Sequence, residues 1–585
     1  MEKLSASIPV GERQTISPPP DLPHIRQLIR ELAKTAETGG HWRKLDPGQE
    51  GHGQGGSQEV GRTWVHRDNT LPTAELKPHQ MDFQKAVTDM EDTGGIIAAH
   101  GTGTGKTFSA INAFEKLKGL GRAERALVIT PSGLRNNFLT KGIQRFTTSK
   151  GQIISRPTEL SPDTEYAIVS YDAYRRRPQE FIKAFKPDTI IADEVHRASN
   201  PDSKTFQAMQ EGRREVDRFM GLTASITQNK PDEIVPLLEL TTGGKSDIPS
   251  KKSFRKHHIS TTQKPGKGIF GGKTYEENLI QRVLLKSTVG ANIHYVEDLD
   301  ASEKPQKIVE SIQVPMSGEQ IDLYRMSMKG VDPVIVKKIK AGEPVSQKQA
   351  MELFTRLLRA RQVSNSLNSI DPSMAPEEAA RRTPKIKRIL DDAVDHIGNT
   401  SDGQVILYTN LVHGGVDVLA AGLKDRGIPF GVFAGKGVKG MTEEVRQAAV
   451  EDYLAGRNRA IIITGAGAEG LSLGNTTMVQ LVDGHYNPER IAQAEARGIR
   501  AGGLSQRPIE ERKVQVKRYV SSLPKSFWQT ITFQPPEKGV EEWVYLTAER
   551  KNRLNRQLRD VLAERTAHEK KQRDSVLYRT FGGGP

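Results

Sequence analysis

Cysteine is missing from all 585 residues, which excludes disulfides, thiolate metal sites and cysteine nucleophiles together. A reducing compartment fits that absence. Long apolar runs are missing too: no stretch approaches the length needed to span a bilayer, and the opening "MEKLSASIPVGERQTISPPP" has no apolar core of the signal-peptide type. No short-period repeat is present. Acid is the scarcer charge. Lys plus Arg number 85 against 71 for Asp plus Glu, an excess of 14, which points to a polyanionic partner, nucleic acid before anionic membrane, with simple solubility as the bland alternative. The expectation is a soluble intracellular protein, cytoplasmic or nucleoid-associated, long enough for three or four domains.

Residues 1–70 read as an appendage: three prolines at Pro18 to Pro20, a short helical pattern, then the Gly-rich "GQEGHGQGGSQEVG", which reads as linker. Over 71–240 the runs "GGIIAAH", "ALVITP", "YAIVSY", "DTIIADE" and "RFMGLTAS" alternate with helical stretches. Buried parallel strands with amphipathic helices between them give this pattern, so a doubly wound α/β domain is expected. The alternation lapses over 241–380 into a basic loop, "KKSFRKHHISTTQKPGKGIFGGK", and helical segments. It resumes over 381–525 with "GQVILYTN", "PFGVFAG", "RAIIITGA" and "MVQLVDG". Residues 526–585 read as one long helix or two, a basic C-terminal brace or tail.

Within the first α/β region, "AAHGTGTGKT" follows an apolar strand and precedes a helical run. A phosphate loop needs that context: successive backbone N–H groups face the phosphates, and glycine permits the close approach. Gly101, Thr102, Gly103, Thr104 and Gly105 would form the cradle, Lys106 would neutralise the β- and γ-phosphates, and Thr107 would place its hydroxyl on Mg²⁺. His100 stands where the strict pattern has its first glycine. In "DTIIADEVHRASN", Asp193 and Glu194 end a second apolar strand. Strand ends of a doubly wound sheet line one edge, so Asp193 is expected to hold Mg²⁺ and Glu194 to polarise an attacking water. The plain alternative is a charged loop.

Together "GTGTGKT", "DEVH", "GLTAS" and "QAEARGIR" resemble the ordered motifs of superfamily two helicases and translocases. The stretches "LKPHQMDFQ", "LVITPSGLRNNF", "AIVSYDAY", "DEVHRASNPDSKTFQA", "EIVPLLELTTGGKSDIPSKKSFRKHH" and "TPKIKRILDDAV" resemble segments of the Swi/Snf family of double-stranded DNA translocases, in a distant viral or bacterial branch. The resemblance covers about residues 76 to 560 and implies two RecA-like lobes with helical insertions and a basic C-terminal helical extension. It makes Gln80 the adenine reader. This chain departs from the family pattern at "TAS" (Thr223 to Ser225), at the "HGT" preceding the loop core, and at "RAGG" (Arg500 to Gly503), where a final glutamine is missing.

In the second α/β region Gly470 offers a tight turn at a strand end. Gln493, Arg497 and Arg500 fall at helical spacing, so a guanidinium from that face is expected to cross to the γ-phosphate. A solvated basic face is the bland alternative. A motor tracking a duplex contacts phosphates without reading bases. The resemblance assigns such contacts to Ser132, Asn136, Ser170, Tyr171, Thr409, Asn410, Thr464 and the segment from Glu469 to Ser472, with the Lys251 to His258 stretch and Arg550, Arg553, Arg556 and Arg559 as an added lid or brace. The expectation is an ATP- and Mg²⁺-dependent ATPase moving on double-stranded DNA to remodel or displace bound proteins, with a protein partner at either end of the chain. A strand-separating DNA or RNA helicase and a non-hydrolytic nucleotide-gated scaffold are the competing readings.

Overall fold

The computed structural model describes residues 69–581 apart from 72–74, 91–93, 245–247, 266–272, 290–291, 298–303, 330–333, 336–337, 339–356, 372, 436, 466–470, 472, 500–501 and 525–538. The expected appendage therefore lies outside the described residues almost entirely. The β-rich runs seen in the sequence are all strands, β1 (Gly94–His100), β2 (Ala126–Thr130), β4 (Tyr166–Ser170), β5 (Thr189–Asp193) and β6 (Arg218–Thr223), and the structure adds a short β3 (Gly151–Ile153). Every residue of β2, β4, β5 and β6 is buried, which is why these runs are apolar throughout and do not alternate. With β9 (Ile293–Val296) they form a seven-stranded parallel sheet in the order β3-β4-β2-β5-β6-β1-β9.

The second sheet has six parallel strands in the order β10-β15-β14-β11-β13-β12. They are β10 (Gln306–Pro315), β11 (Val405–Thr409), β12 (Phe430–Phe433), β13 (Ala460–Thr464), β14 (Met478–Leu481) and β15 (Lys513–Ser522). Each sheet carries a buried apolar cluster on both faces, so the chain is a pair of doubly wound α/β lobes. Two strands lie within 241–380, where a basic loop and helical segments were expected, and they complete these sheets: β9 extends the first beside β1, and β10 edges the second beside β15.

The basic loop is corrected as well. Lys251–His258 is a helix, capped by the Ser250 hydroxyl, whose Phe254 is fully buried in the first lobe's core. It leads into an antiparallel hairpin of β7 (Ile259–Pro265) and β8 (Lys273–Leu279). Two apolar or aromatic side chains among many cations were enough to seat it, because lysine and arginine stems lie along the surface while their heads stay in water.

The C-terminal extension is one helix, Val540–Phe581, and it belongs to three cores at once. Val540 and Trp543 pack in a cluster with Tyr324 and Val363; Ala548 packs in the second lobe with Val514 and Val516; Leu558, Val561 and Leu562 are fully buried in the first lobe with Ile293 and Leu285. Its start is fixed by a buried ion pair, Lys385 Nζ to Glu541 Oε1 at 2.6 Å, while Glu541 Oε2 accepts from Ser521 N. Among the described residues no helix is long and apolar enough to cross a membrane.

Leu558→Ala should cost about 2–5 kcal/mol of unfolding free energy, the usual range for emptying a packed leucine site. Chemical denaturation checks this, and a loss below about 1 kcal/mol would show the helix to be peripheral to the first lobe.

Candidate active site at the sheet edges

The phosphate loop leaves β1, the carboxylate pair ends β5, and the strand between them is β6. In register, Ala99 lies opposite Thr223 and Asp193 opposite Leu222, so three loops leave the same edge side by side. The two nucleotide motifs are thus not on adjacent strands: β6 separates them and contributes Thr223 and Ser225 to the gap.

Residues 101–105 turn through two left-handed glycines, Gly103 (φ +80°) and Gly105 (φ +83°), before the helix α1, Lys106–Gly119. At Gly105 a Cβ would also lie 2.5 Å from Gln80 Nε2, so both conformation and space demand glycine there. No side chain caps α1, which leaves its first N–H groups open to an anion. Lys106 Nζ donates to the carbonyls of His100 and Gly101, each at 3.1 Å, across the mouth of the loop.

Gln80 and His79 lie on the helix Pro78–Thr88, and both bond the Thr104 carbonyl, at 3.2 and 2.9 Å. Gln80 Oε1 accepts from Lys77 N. The expected adenine reader therefore holds the phosphate loop and caps its own helix. His100 has a structural role that its place in the motif did not reveal. Its ring is fully buried beside Phe83, and its Nε2 lies 2.8 Å from His294 Nδ1, whose Nε2 lies 2.9 Å from Asp82 Oδ2. One proton is shared between the two rings, and His294 in turn faces the Asp82 carboxylate. Burial, with the cations nearby, holds His100 well below the usual imidazole range.

Glu194 adopts φ +54°, ψ +48°, a left-handed backbone that non-glycine residues rarely take and that costs on the order of 1–3 kcal/mol. The turn sends the carboxylates of Asp193 and Glu194 different ways. Asp193 Oδ2 accepts from Thr130 Oγ1 at 3.0 Å; burial and the neighbouring Glu194 push its carboxyl above the ordinary range. Burial acts on Glu194 too, but His196, Lys106 and Arg497 hold it below that range. His196 Nδ1 lies 3.3 Å from Glu194 Oε2 and 3.0 Å from Thr223 Oγ1.

Arg497 comes from the second lobe. It is buried, with 8% of its surface exposed, and acts on Glu194 across the gap between the lobes. It does not share a helix face with Gln493 as expected, because α2, Pro488–Glu495, ends first and Arg497 lies in the following turn. That turn packs so tightly that a Cβ on Gly498 would come within 2.8 Å of Thr476. A cavity of about 310 Å³ runs between His196 and Arg197 on one side and Gln493, Arg490 and Arg497 on the other. A second, of about 430 Å³, joins Gly101 and Thr102 to Ser225, Gln493 and Glu489. Arg490 and Glu489 were not singled out in the sequence; no spacing rule marks them. Among the described residues no cluster of three or more His, Asp or Glu could hold a metal. Gly470, Arg500 and the segment from Glu469 to Ser472, apart from Leu471, lie outside the described residues.

The expected duplex contacts divide. Ser132 and Asn136 are exposed on the first lobe. Ser170 is buried and caps a short helix through Ala173 N, and buried Tyr171 donates its hydroxyl to the Asp193 carbonyl at 2.8 Å. Thr409 donates to Asp483 Oδ2 at 2.6 Å, and Asn410 donates to the same carboxylate through its backbone and its side chain. Thr464 is buried and accepts from Gly435 N. These side chains brace the strand ends from inside and do not form an exposed phosphate-binding face; similarity to a motif carries a position in sequence but not its exposure.

Compared with known proteins, the chain matches the SNF2-related domain over residues 59–369 and the helicase conserved C-terminal domain over 385–502. It is 24% identical over 463 residues to "Putative ATP-dependent RNA helicase L538" of Acanthamoeba polyphaga mimivirus, spanning 77% of this chain and 90% of that one. It is 23% identical to "DNA repair protein rhp54" of Schizosaccharomyces pombe over 73% of this chain, about half of that longer protein (54%). Among solved structures it is similar to the Sulfolobus solfataricus SWI2/SNF2 ATPase core in complex with dsDNA, at 17% identity and TM-score 0.35, covering 84% of this chain and 98% of that one.

Tyr171→Phe should lower stability by about 0.5–1.5 kcal/mol, the net worth of one buried hydrogen bond, and leave affinity for a short DNA duplex unchanged. Denaturation and fluorescence anisotropy read the two effects separately; weakened duplex binding at intact stability would return Tyr171 to the nucleic-acid face.

Proposed function

We propose, from the premise that this chain belongs to the SNF2-related family of helicase-like ATPases, that it spends ATP to move along double-stranded DNA and to remodel or displace proteins bound there. Such a partner places it inside the cell, in the cytoplasm or on the nucleoid. The observation that carries the reading is the cavity of about 310 Å³ in which Arg497 of the second lobe faces His196 and Arg197 of the first, with Lys106 and Arg497 both holding the neighbouring Glu194 carboxyl low. Neither lobe holds this arrangement alone. Hydrolysis that needs both lobes can be coupled to their relative movement, and movement of lobes that grip a backbone in turn gives translocation.

The residues fit a magnesium–triphosphate substrate. The uncapped helix start and the close glycine turn at Gly105 suit phosphate oxygens. Asp193, a buried carboxylate raised by another carboxylate beside it, suits a divalent cation, which Thr107 and Asp193 would hold and which supplies positive charge to the phosphates. On this reading Lys106 leaves the His100 and Gly101 carbonyls to meet phosphate. Glu194, kept ionised, accepts a hydrogen bond from the attacking water, and Arg497 stabilises charge that develops as the bond to the leaving group breaks. The excess of 14 cations favours a polyanion, and duplex phosphates meet that need without base readout. A protein partner would engage residues 1–70 or the C-terminal tail. Strand separation, of DNA or RNA, is the rival reading, since one relative is named an RNA helicase.

Hydrolysis measured side by side with duplex DNA, single-stranded DNA and RNA should be stimulated most by the duplex, and a triplex-forming strand should be displaced while a forked duplex stays paired. Lys106→Ala, Glu194→Gln and Arg497→Ala should each lower kcat by about 10³-fold or more while duplex binding persists. Near wild-type turnover in any of the three would refute the assignment of that residue. Stimulation by RNA alone would replace the duplex reading.

A further inference from the structure

Thr223, at the end of β6, has a single hydroxyl proton, which it gives to the Ser225 carbonyl at 3.1 Å while accepting from Ser225 N at 3.0 Å. His196 Nδ1, 3.0 Å from the same hydroxyl, is therefore the donor there, and the same nitrogen stands 3.3 Å from Glu194 Oε2 in an ion-pair contact. On the far side, Ser225 Oγ donates to Glu489 Oε2 at 2.8 Å. Glu489 belongs to the first turn of α2 in the second lobe, and its other oxygen accepts from Arg559 Nη1 of the C-terminal helix at 3.2 Å. Arg559 is steadied by Asn552 Oδ1 at 2.9 Å.

Hydrogen bonds link His196, Thr223, Ser225, Glu489 and Arg559 in one chain, whose near end stands in ion-pair contact with Glu194. It crosses from the first lobe to the second and onto the C-terminal helix. About two turns of that helix earlier a parallel tie exists: Lys551 Nζ donates to Asn229 Oδ1 of the first lobe at 3.1 Å and to the Tyr486 carbonyl of the second at 3.2 Å. A carboxylate as buried as Glu489 is a poor way to gain stability, since desolvation offsets most of its pairing. Burial raises its carboxyl, and Arg559 and Ser225 are what favour the ionised form. Its place between three parts of the chain gives it a use that a packed apolar side chain would not have. Glu489 also lies one helical turn from Gln493 on the cavity wall that reaches Gly101 and Thr102.

We infer that Glu489 and Arg559 are positioning residues for hydrolysis: they fix Ser225 and Thr223, these fix the His196 N–H, and that N–H sets the direction of the Glu194 carboxylate. The C-terminal helix is thereby an input to the rate of the chemical step. Only when the helix lies across both lobes is the chain complete, so hydrolysis is tied to how the helix is seated. This rests on the reading of Glu194 as the residue that orients water.

The test uses the full chain and ATP turnover with duplex DNA, comparing wild type with Arg559→Ala, Arg559→Lys, Glu489→Gln, Ser225→Ala and the Arg559→Ala/Ser225→Ala pair. Arg559→Ala and Glu489→Gln should lower kcat by about tenfold, with KM for ATP changed by less than about twofold. Arg559→Lys should recover part of the loss, because an ammonium still pairs with Glu489. The double variant should be no slower than its slower parent, as members of one chain behave. Losses that multiply in the double variant, or that fall on KM with kcat intact, would overturn the inference while the ATPase reading stands. A wild type that shows no duplex-stimulated turnover would instead remove the parent reading, and this one with it.

Discussion

A parallel sheet sends every strand out at the same edge, and in this molecule that constraint decides what chemistry is available. The phosphate loop, the carboxylate pair and the Thr223 turn leave β1, β5 and β6, which are near neighbours. Strands lie about 4.8 Å apart, so loops two strands away are about 10 Å apart, close enough for one triphosphate to touch both. The backbone then adjusts what the sheet sets roughly. Glu194 is bent into the left-handed region where β5 ends, and Gly103 and Gly105 take the same region where β1 ends. Both distortions stand where a ligand would lie, the usual location for strain that the surrounding structure can hold.

Charge is the second organising element. Asp193, Glu194, Lys106, Arg497 and Glu489 are drawn together where two lobes meet, in surroundings whose burial penalises the three carboxylates. A lobe in isolation would leave Glu194 without Arg497 and Glu489 without Ser225. The site is thus a property of the pair of lobes. Charge held at this boundary makes the electrostatics respond to small changes of lobe position, because attraction at low dielectric falls steeply as water enters.

Much of this was legible beforehand. Runs such as "DTIIADE" and "RAIIITGA" had no polar alternation, which only strands buried on both faces require, and all of them proved to be parallel strands. The glycine pattern located the phosphate loop because it reports backbone conformation directly. What failed had other physical causes. The "KKSFRKHH" stretch looked like a loop because its charge hides the two side chains, Phe254 and His258, that seat it. β9 and β10 looked like parts of an insertion, since their pairing with β1 and β15 is set by tertiary packing and carries no local signal. Tyr171, Thr409 and Thr464 matched segments that touch DNA elsewhere, yet here they are enclosed. Four members of the chain toward Arg559 lie in the "DEVH" and "GLTAS" motifs, but its crossing through Glu489 has no sequence signature, because Ser225, Glu489 and Arg559 meet only in three dimensions.

The C-terminal helix sets the remaining condition on movement. Its anchors in both lobes are apolar: Val540, Trp543 and Ala548 on one side, Leu558, Val561 and Leu562 on the other. Pulling the last three into water would cost about 1.5–3 kcal/mol each. Where the helix passes from one lobe to the other it also makes polar contacts: Lys551 to Asn229 and Tyr486 ahead of the first-lobe anchor, and Arg559 to Glu489 beside Leu558. Such contacts exchange partners with water at a net cost of about 1 kcal/mol apiece. A helix also curves at little cost by lengthening the hydrogen bonds on one side. Lobe motion is therefore easiest when the apolar anchors stay seated and the polar crossing opens, and the polar crossing is the part connected to Glu194. Geometry and energetics select the same few residues: the polar contacts that cost least to open, Arg559 to Glu489 and Ser225 to Glu489, are those that lead toward Glu194.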